Sequence, residues 1–171
     1  MPSKVWILTA LLLLKAFTWN TLVLAFEKPD PFKRLKLDHL HEVAPDFQFV
    51  DASGKTHHLR EFDGHPLIIH FWASWCTSCK TEMPELRELA EVGKKEGVLF
   101  IPVSVEERTK SATPPEWIIE DQKQGKSYWS WGVPMTYFID ANKQIAARAM
   151  GARLWSTTSA EDLKIIFRTN K

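Results

Sequence analysis

The sequence predicts an α/β fold in which a central mixed β-sheet is flanked by helices and carries an added N-terminal β-hairpin. Three observations predict this class. Short apolar runs bounded by turn residues indicate buried strands, and segments with apolar residues at helical spacing lie between them. In addition, two pairs of strand-like segments are each joined by a short polar turn. The predicted order along the chain is ββ, β, α, β, α, ββ, α.

The first 26 residues differ in composition from the rest of the chain. Lys4 precedes an apolar stretch of about ten residues, and Val23-Leu24-Ala25 resembles a small-residue cleavage site. This pattern predicts a signal peptide over residues 1–25. The alternative is an uncleaved membrane tether through residues 5–26, which is long enough to span a bilayer but carries Lys15 near its middle. Both alternatives predict a periplasmic or otherwise extracytoplasmic domain, and the second anchors it to the inner membrane.

The remaining 145 or so residues have the composition of one soluble domain. The whole chain of 171 residues is 44% hydrophobic and 25% charged, as globular proteins are. Its net charge of +1 argues against a nucleic-acid partner, because such proteins carry a marked basic excess. Residues 26–42 are polar and interrupted by prolines, which predicts a linker, so the domain is expected over residues 43–171.

The first half of this domain is predicted to contain a hairpin, a buried strand and a helix. Residues 47–59 alternate about a turn that contains Gly54, as a hairpin does. Residues 67–72 (LIIHFW) form an apolar run typical of a buried strand. Apolar residues then recur at helical spacing from Cys79 to Lys95, and a glycine follows as a stop signal.

The second half is predicted to contain a buried strand, two helices and another hairpin. Residues 98–105 (VLFIPVSV) form the strand. Capping-box spacing at Thr113–Glu116 predicts a short helix over residues 116–124. Residues 135–150 read as a hairpin, and a second capping-box pair, Thr158 and Glu161, precedes an amphipathic C-terminal helix.

The only two cysteines, Cys76 and Cys79, stand in one four-residue window. A disulfide between them closes almost no loop and therefore stabilises little, so we interpret the pair as a redox site. Cys76 falls where a buried strand gives way to a helix, and a helix N-terminus stabilises a thiolate. Cys79 lies one turn later, within reach of the first sulfur. This arrangement permits a two-step thiol–disulfide exchange in which Cys76 attacks and Cys79 resolves the mixed disulfide.

The segment FWASWCTSCKTEMPEL resembles the active site of thioredoxin-fold thiol–disulfide oxidoreductases, in their exported TlpA-like branch. APDFQFVDASGK before it and WGVPMTYFIDANKQIAARAMG after it extend the resemblance over roughly residues 43–167. That branch includes reductases that serve cytochrome c maturation. The resemblance implies a thioredoxin-like fold, a protein-disulfide reductase, protein thiol or disulfide substrates, an upstream dithiol electron donor, and no cofactor or metal.

Four further site residues follow from this resemblance. Pro134 in GVPMT matches a cis-proline that lies beside the disulfide, and Val133 before it would offer backbone groups to a substrate peptide. Trp75 is interpreted as a packing and substrate-shielding residue. Glu82 matches the acidic residue of the CKxE(M/F)P segment. A buried carboxyl has a raised pKa and is suited to exchange protons with Cys79.

The sequence departs from the family pattern at two places. His70 occupies the strand position at which thioredoxin has a buried acid, and we interpret it as a satisfied core histidine rather than a catalytic one. The span from Glu107 to Trp131 is short, so we expect one helix where relatives often fit a strand and a helix. The second departure affects the expected substrate-docking surface.

Three rival functions draw on the same residues. A copper chaperone would use the two thiolates and a histidine, but chaperones of this fold space their cysteines by three residues rather than two. A peroxiredoxin-type peroxidase needs Thr or Ser three residues before its cysteine, where this chain has Ala73. A non-catalytic binding module predicts a degraded motif, whereas Cys76, Cys79, Glu82 and Pro134 are all present. The sequence leaves open the direction of exchange, the substrate and the oligomeric state.

Overall fold

One mixed β-sheet organises the protein. The computed structural model describes residues 28–106, 117–119, 122–129 and 131–168, and in these ranges the sheet has eight strands. In chain order they are β1 (Asp38–Val43), β2 (Gln48–Asp51), β3 (Thr56–His58), β4 (Leu67–Trp72), β5 (Leu99–Ser104), β6 (Trp117–Ile119), β7 (Met135–Ile139) and β8 (Gln144–Met150). Among the described residues, the helices are α1 (Pro31–Arg34), α2 (Thr77–Lys94), α3 (Gln122–Trp129) and α4 (Ala160–Arg168).

The strand order is β1-β8-β7-β4-β5-β6-β2-β3. The central strand β4 pairs in parallel with β5 and antiparallel with β7. Parallel neighbours need a long crossover, and α2 supplies it between β4 and β5. Antiparallel β7 and β8 need only a tight turn, in which Asp140 Oδ1 accepts hydrogen bonds from the N–H groups of Asn142 and Gln144.

Helices cover both faces of the sheet. Side chains of a strand point alternately to its two faces, so each central strand contributes to the apolar cluster on both sides. In β4, Ile68 belongs to the apolar cluster formed with α2 and α4, whereas Ile69 and Phe71 belong to the cluster on the opposite face. The α2 face contains Leu86, Leu89, Leu163 and Ile166, and the opposite face contains Tyr128 of α3. By the same alternation His70 points toward the α2 face.

The structure confirms most of the predicted elements and the mixed sheet. The N-terminal hairpin is β2–β3, with Gly54 at a positive φ of 91° that favours glycine. The apolar run is β4, the second run is β5, and the later hairpin is β7–β8. The active-site helix starts two residues earlier than predicted, at Thr77.

The predicted linker over residues 26–42 is wrong from residue 31 onward. The compact unit that contains the sheet begins at Pro31, and α1 and β1 lie within that region. Phe32, Leu35 and Leu37 are buried in the core, and β1 pairs antiparallel with β8. The polar composition of this segment suggested a linker because β1 is an edge strand with mostly exposed side chains.

The predicted helix over residues 116–124 is also wrong. Trp117–Ile119 is strand β6, which pairs in parallel with β5 and antiparallel with β2, and α3 begins only at Gln122. The chain therefore does fit a strand and a helix between Glu107 and Trp131, contrary to the expectation of a single helix. Both residues of the proposed capping box, Thr113 and Glu116, lie outside the described residues.

The C-terminal helix is capped one residue later than predicted. The capping pair is Ser159 and Asp162, since Ser159 N–H and Oγ donate to Asp162 Oδ2 and Asp162 N–H donates to Ser159 Oγ. Among the described residues, none of the helices is long and apolar enough to cross a membrane. The predicted leader, residues 1–25, lies outside the described ranges.

Candidate active site

The two cysteines lie where β4 ends and α2 begins. Cys76 is the N-cap residue of α2: its backbone is extended, and its Sγ accepts a hydrogen bond from Cys79 N–H at 3.2 Å. The N–H of Cys76 in turn donates to Ala73 O at 3.1 Å, which closes the turn that leaves β4. Strand, turn and helix together fix the position of the first sulfur.

Cys76 and Cys79 are joined by a disulfide, with their Cα atoms 5.3 Å apart. The two side chains differ in accessibility: Cys76 is 6% exposed and Cys79 is 0% exposed. An incoming thiolate or disulfide therefore reaches Cys76 first. The helix N-terminus faces Cys76, so its dipole stabilises a thiolate at that sulfur once the disulfide is reduced.

Residues of the loop before β7 lie beside the disulfide. The Val133–Pro134 peptide bond is cis, as the resemblance implies. Val133 O lies 3.8 Å from Cys76 Sγ, and Pro134 O accepts a hydrogen bond from Gly151 N–H. The loop is thus held to the end of β8 while it contacts the reactive sulfur.

The surface around the disulfide carries two exposed indoles. Trp75 is 68% exposed and Trp131 is 82% exposed. The packing part of the interpretation of Trp75 is therefore wrong, because its ring faces solvent. Large exposed apolar side chains next to a reactive sulfur are suited to contact a partner. Sequence reasoning did not select Trp131, although it directly precedes the GVP motif.

Glu82 is buried one turn beyond Cys79 on α2. Its Oε2 accepts hydrogen bonds from Arg153 N–H at 2.9 Å and from Trp155 Nε1–H at 2.8 Å. Burial nevertheless raises the pKa of Glu82, because desolvation penalises the carboxylate more than these two donors stabilise it. The burial of Glu82 and the upward direction of its pKa shift are those that the sequence led us to expect.

His70 is fully buried in β4 and is not the satisfied core histidine that the sequence suggested. Its Nδ1 lies 2.9 Å from Thr136 Oγ1, its cross-strand partner in β7. Its Nε2 has no hydrogen-bond partner and lies 3.8 Å from Glu82 Oε1, which has none either. Burial lowers the pKa of His70 to about 3, so the imidazole is neutral at physiological pH.

Two sets of residues support the site without a recognisable motif in the sequence: Glu106, and the pair Arg153 and Trp155. Glu106, just after β5, accepts hydrogen bonds from the N–H and Oγ of Ser74, which holds the loop that leads to Trp75 and Cys76. Arg153 and Trp155 reach Glu82 from the segment after β8. No local motif predicts these two contacts, because 71 and 73 residues separate Arg153 and Trp155 from Glu82 in the chain.

The described residues contain no group of three or more His, Cys, Asp and Glu side chains that could hold a metal ion. Ala73, the position at which a peroxidase would need a hydroxyl, is a buried methyl group.

Comparison with known proteins decides the family. The model of the AhpC/TSA family matches residues 40–161. The chain belongs to this family. The thiol-disulfide oxidoreductase ResA of Geobacillus kaustophilus is 32% identical to this family member over 132 aligned residues, and the match covers 71% of this chain and 72% of the relative. The thiol:disulfide interchange protein DsbE of Vibrio cholerae is 30% identical over 170 aligned residues, and the match covers 90% of this chain and 89% of the relative.

Solved structures show the same fold. A Chlorobium tepidum protein assigned as thiol:disulfide interchange protein DsbE superposes on this AhpC/TSA member with a TM-score of 0.61 at 23% identity. The match covers 74% of this chain and 95% of that one. The protein is thus a thiol–disulfide oxidoreductase of thioredoxin-like fold, with Cys76 and Cys79 as its CxxC pair.

Proposed function

We propose that the protein reduces protein disulfides, with Cys76 as the attacking sulfur and Cys79 as the resolving sulfur. The unequal exposure of the two cysteine residues, 6% for Cys76 against 0% for Cys79, carries this proposal. The position of Cys76 as the N-cap residue of α2 also supports its role as the attacking sulfur, since a helix N-terminus favours a thiolate. The exposed indoles of Trp75 and Trp131, together with the backbone of Val133, supply a surface for a substrate chain.

The proposed reaction consists of two successive thiol–disulfide exchanges. Cys76 thiolate attacks one sulfur of the substrate disulfide, and the other substrate sulfur leaves as a thiolate that takes a proton from water. Cys79 then loses its thiol proton and attacks Cys76, so the Cys76–Cys79 disulfide forms and the second substrate thiol is released. Two electrons pass from the enzyme to the substrate. An upstream dithiol donor must then reduce the enzyme disulfide, and the resemblance implies that donor class.

Glu82 is the proposed proton relay for Cys79. It lies on the same helix one turn away, is buried, and has a raised pKa. As a carboxylate it accepts the Cys79 proton during resolution, and as an acid it returns that proton when the donor reduces the disulfide. Arg153 N–H and Trp155 Nε1–H hold its Oε2 and so fix the side chain.

Substrate trapping tests the assignment of the sulfurs. In a Cys79→Ser variant the mixed disulfide cannot be resolved, so a peptide disulfide should remain bound through Cys76 and be detected by mass spectrometry. Cys76→Ser is the matched control and should trap nothing. Trapping through Cys79 in the control variant would overturn the assignment, and no trapping in either would favour a non-catalytic binding module.

The Glu82→Gln variant tests the relay. It keeps the shape of the side chain and removes its titration, so the variant should fold and form the Cys76–Cys79 disulfide. Its exchange rate should fall by about 10²-fold, the lower end of what positioned acid–base groups contribute. A variant with the parent's rate and pH profile would reduce Glu82 to a helix residue.

The direction of thiol–disulfide exchange is proposed from the family resemblance, and the cellular location of the protein is proposed from the resemblance and the predicted leader. We propose a reductase outside the cytoplasm that serves cytochrome c maturation, cleaved after Ala25 and released. Equilibration of the Cys76–Cys79 pair with glutathione gives its reduction potential: a value near that of thioredoxin, about −270 mV, supports a reductase, and one near −120 mV contradicts it. A mature N-terminus at Phe26 supports cleavage, whereas full-length protein in washed membranes supports the tether.

A further inference from the structure

The most unusual polar feature of the described core is a facing pair of unpartnered atoms, His70 Nε2 and Glu82 Oε1. Both side chains are buried, both atoms lack a hydrogen-bond partner, and they lie 3.8 Å apart. Buried polar atoms almost always have partners, so each such pair needs an explanation. A displacement of about 0.7 Å would bring the two atoms to normal hydrogen-bonding distance.

The donors around Glu82 determine where its proton lies. Oε2 faces two N–H groups, those of Arg153 and Trp155, and an N–H group cannot accept a proton. Oε1 has no hydrogen-bond partner among the described residues and lies 3.8 Å from His70 Nε2. A protonated Glu82 must therefore carry its hydrogen on Oε1, directed at the imidazole.

The protonation of His70 follows from this orientation. Nε2 can accept a hydrogen from Glu82 only if it carries none itself, and a neutral imidazole then has its hydrogen on Nδ1. Nδ1 lies 2.9 Å from Thr136 Oγ1, which can accept that hydrogen. The antiparallel pairing of His70 with Thr136 places both side chains on the α2 face, where Glu82 lies.

We propose that His70 is a positioning residue for Glu82: held by Nδ1–H on Thr136 Oγ1, it presents Nε2 as the acceptor for the proton on Glu82 Oε1. This inference rests on the proposed role of Glu82 as the relay of Cys79. His70 fixes which carboxyl oxygen carries the proton and keeps the other oxygen on Arg153 and Trp155. A histidine suits this place because its Nε2 accepts without bringing a charge into the core.

The other charged groups near Glu82 do not replace His70 in this role. The Arg153 guanidinium donates to backbone carbonyls, those of Leu35, Lys36, Gly151 and Ala152, rather than to Oε1. Glu85, one turn along α2, accepts a hydrogen bond from Ser156 N–H. These groups tune the pKa of Glu82 from α2 and from the segment after β8, whereas His70 lies 3.8 Å from Oε1 on the side of the sheet.

Nitrogen NMR of the histidine side chains in the full protein tests the inference. We expect His70 to be neutral with hydrogen on Nδ1 and none on Nε2, and its Nε2 resonance to move with pH at the midpoint of Glu82. In Glu82→Gln the amide can still donate to Nε2, so the tautomer should persist while the pH-dependent movement disappears. A hydrogen on Nε2, or a movement that persists unchanged in Glu82→Gln, would overturn the inference.

Thr136 supplies a matched pair of variants. Thr136→Val keeps the shape and removes the acceptor of Nδ1–H, so the Nε2–H tautomer should gain population and the Glu82 midpoint should move to lower pH, because a donor then faces Oε1. Thr136→Ser keeps the hydroxyl and should retain the parent tautomer. An unmoved midpoint in Thr136→Val counts against the inference.

The two proposals fail separately. If His70 has the expected tautomer but Glu82→Gln exchanges at the parent's rate, the relay is wrong and the hydrogen-bond assignment holds. If Glu82→Gln is slow but His70 carries hydrogen on Nε2, the relay holds and this inference is wrong.

Discussion

At the residue scale, the site separates two chemically identical sulfurs by their surroundings. Cys76 accepts a helix N–H and reaches the surface, whereas Cys79 is enclosed one turn into α2. Enclosure disfavours a thiolate at Cys79, so its reaction needs a proton acceptor, and Glu82 is the residue proposed for that role. The buried carboxyl, in turn, depends on neighbours that hold it in one orientation.

Trp155 provides a test of those neighbours. Its Nε1–H donates to Glu82 Oε2 at 2.8 Å, which favours the carboxylate. Trp155→Phe removes this donor, so the pKa of Glu82 should rise further, and the pH midpoint of Cys79 alkylation should move to higher pH. Leu154→Ala, an exposed neighbour, is the control and should leave the midpoint in place. A downward shift in Trp155→Phe would contradict the assigned hydrogen bond.

The candidate site residues could be located from the sequence because they stand in short local motifs. Cys76, Cys79 and Glu82 share one helix, and Pro134 stands in a short motif. The partners that set the state of Glu82 could not be predicted, because Arg153, Trp155 and His70 reach it only through tertiary packing. Periodicity shows the face to which a side chain points, but not which side chain faces it across the core.

At the element scale, strongly apolar segments were predicted well and half-exposed segments poorly. The strand β4 is a continuous apolar run bounded by turn residues, and helix α2 has apolar residues at helical spacing, so both carry strong local patterns. β1 has exposed side chains along most of its length, and β6 is three residues long. Short or exposed strands exist because neighbouring strands pair with them, and that information is not in the local sequence.

The cap of α4 gives an element-scale prediction. Ser159→Ala removes the hydroxyl that exchanges hydrogen bonds with Asp162, and should destabilise the protein by about 0.5–2 kcal/mol in chemical denaturation. Thr158→Val is the matched variant, since the buried Thr158 hydroxyl has no hydrogen-bond partner among the described residues. Its removal should be neutral or stabilising. A larger loss at Thr158 than at Ser159 would restore the cap that the sequence suggested.

At the scale of the whole molecule, the sheet brings the parts of the site to one edge. β4 and β5 run in parallel, so the loops after both strands meet there, and Glu106 after β5 holds Ser74 after β4. The cis-proline loop enters β7 at the same edge. Far along the sheet, α1 and β1 complete the fold by covering β8 and its core.

The contribution of α1 to the fold can be measured. Phe32 is buried and its ring stacks on His39, with ring centroids 3.6 Å apart. Phe32→Ala should therefore cost about 3–5 kcal/mol of unfolding free energy, the range for truncated core aromatic residues. Lys33→Ala, on the exposed side of the same short helix, should change it by less than about 0.5 kcal/mol. Equal small effects would mean that residues 31–42 behave as a linker after all.

The inequality of the two sulfurs is the central claim, and alkylation tests it directly. The reduced protein is treated briefly with iodoacetamide near neutral pH, and modification of each cysteine is read by peptide mass spectrometry. The account predicts that Cys76 is modified well before Cys79, because Cys76 is the more accessible of the two cysteines and caps the helix N-terminus. Equal or reversed rates would contradict it.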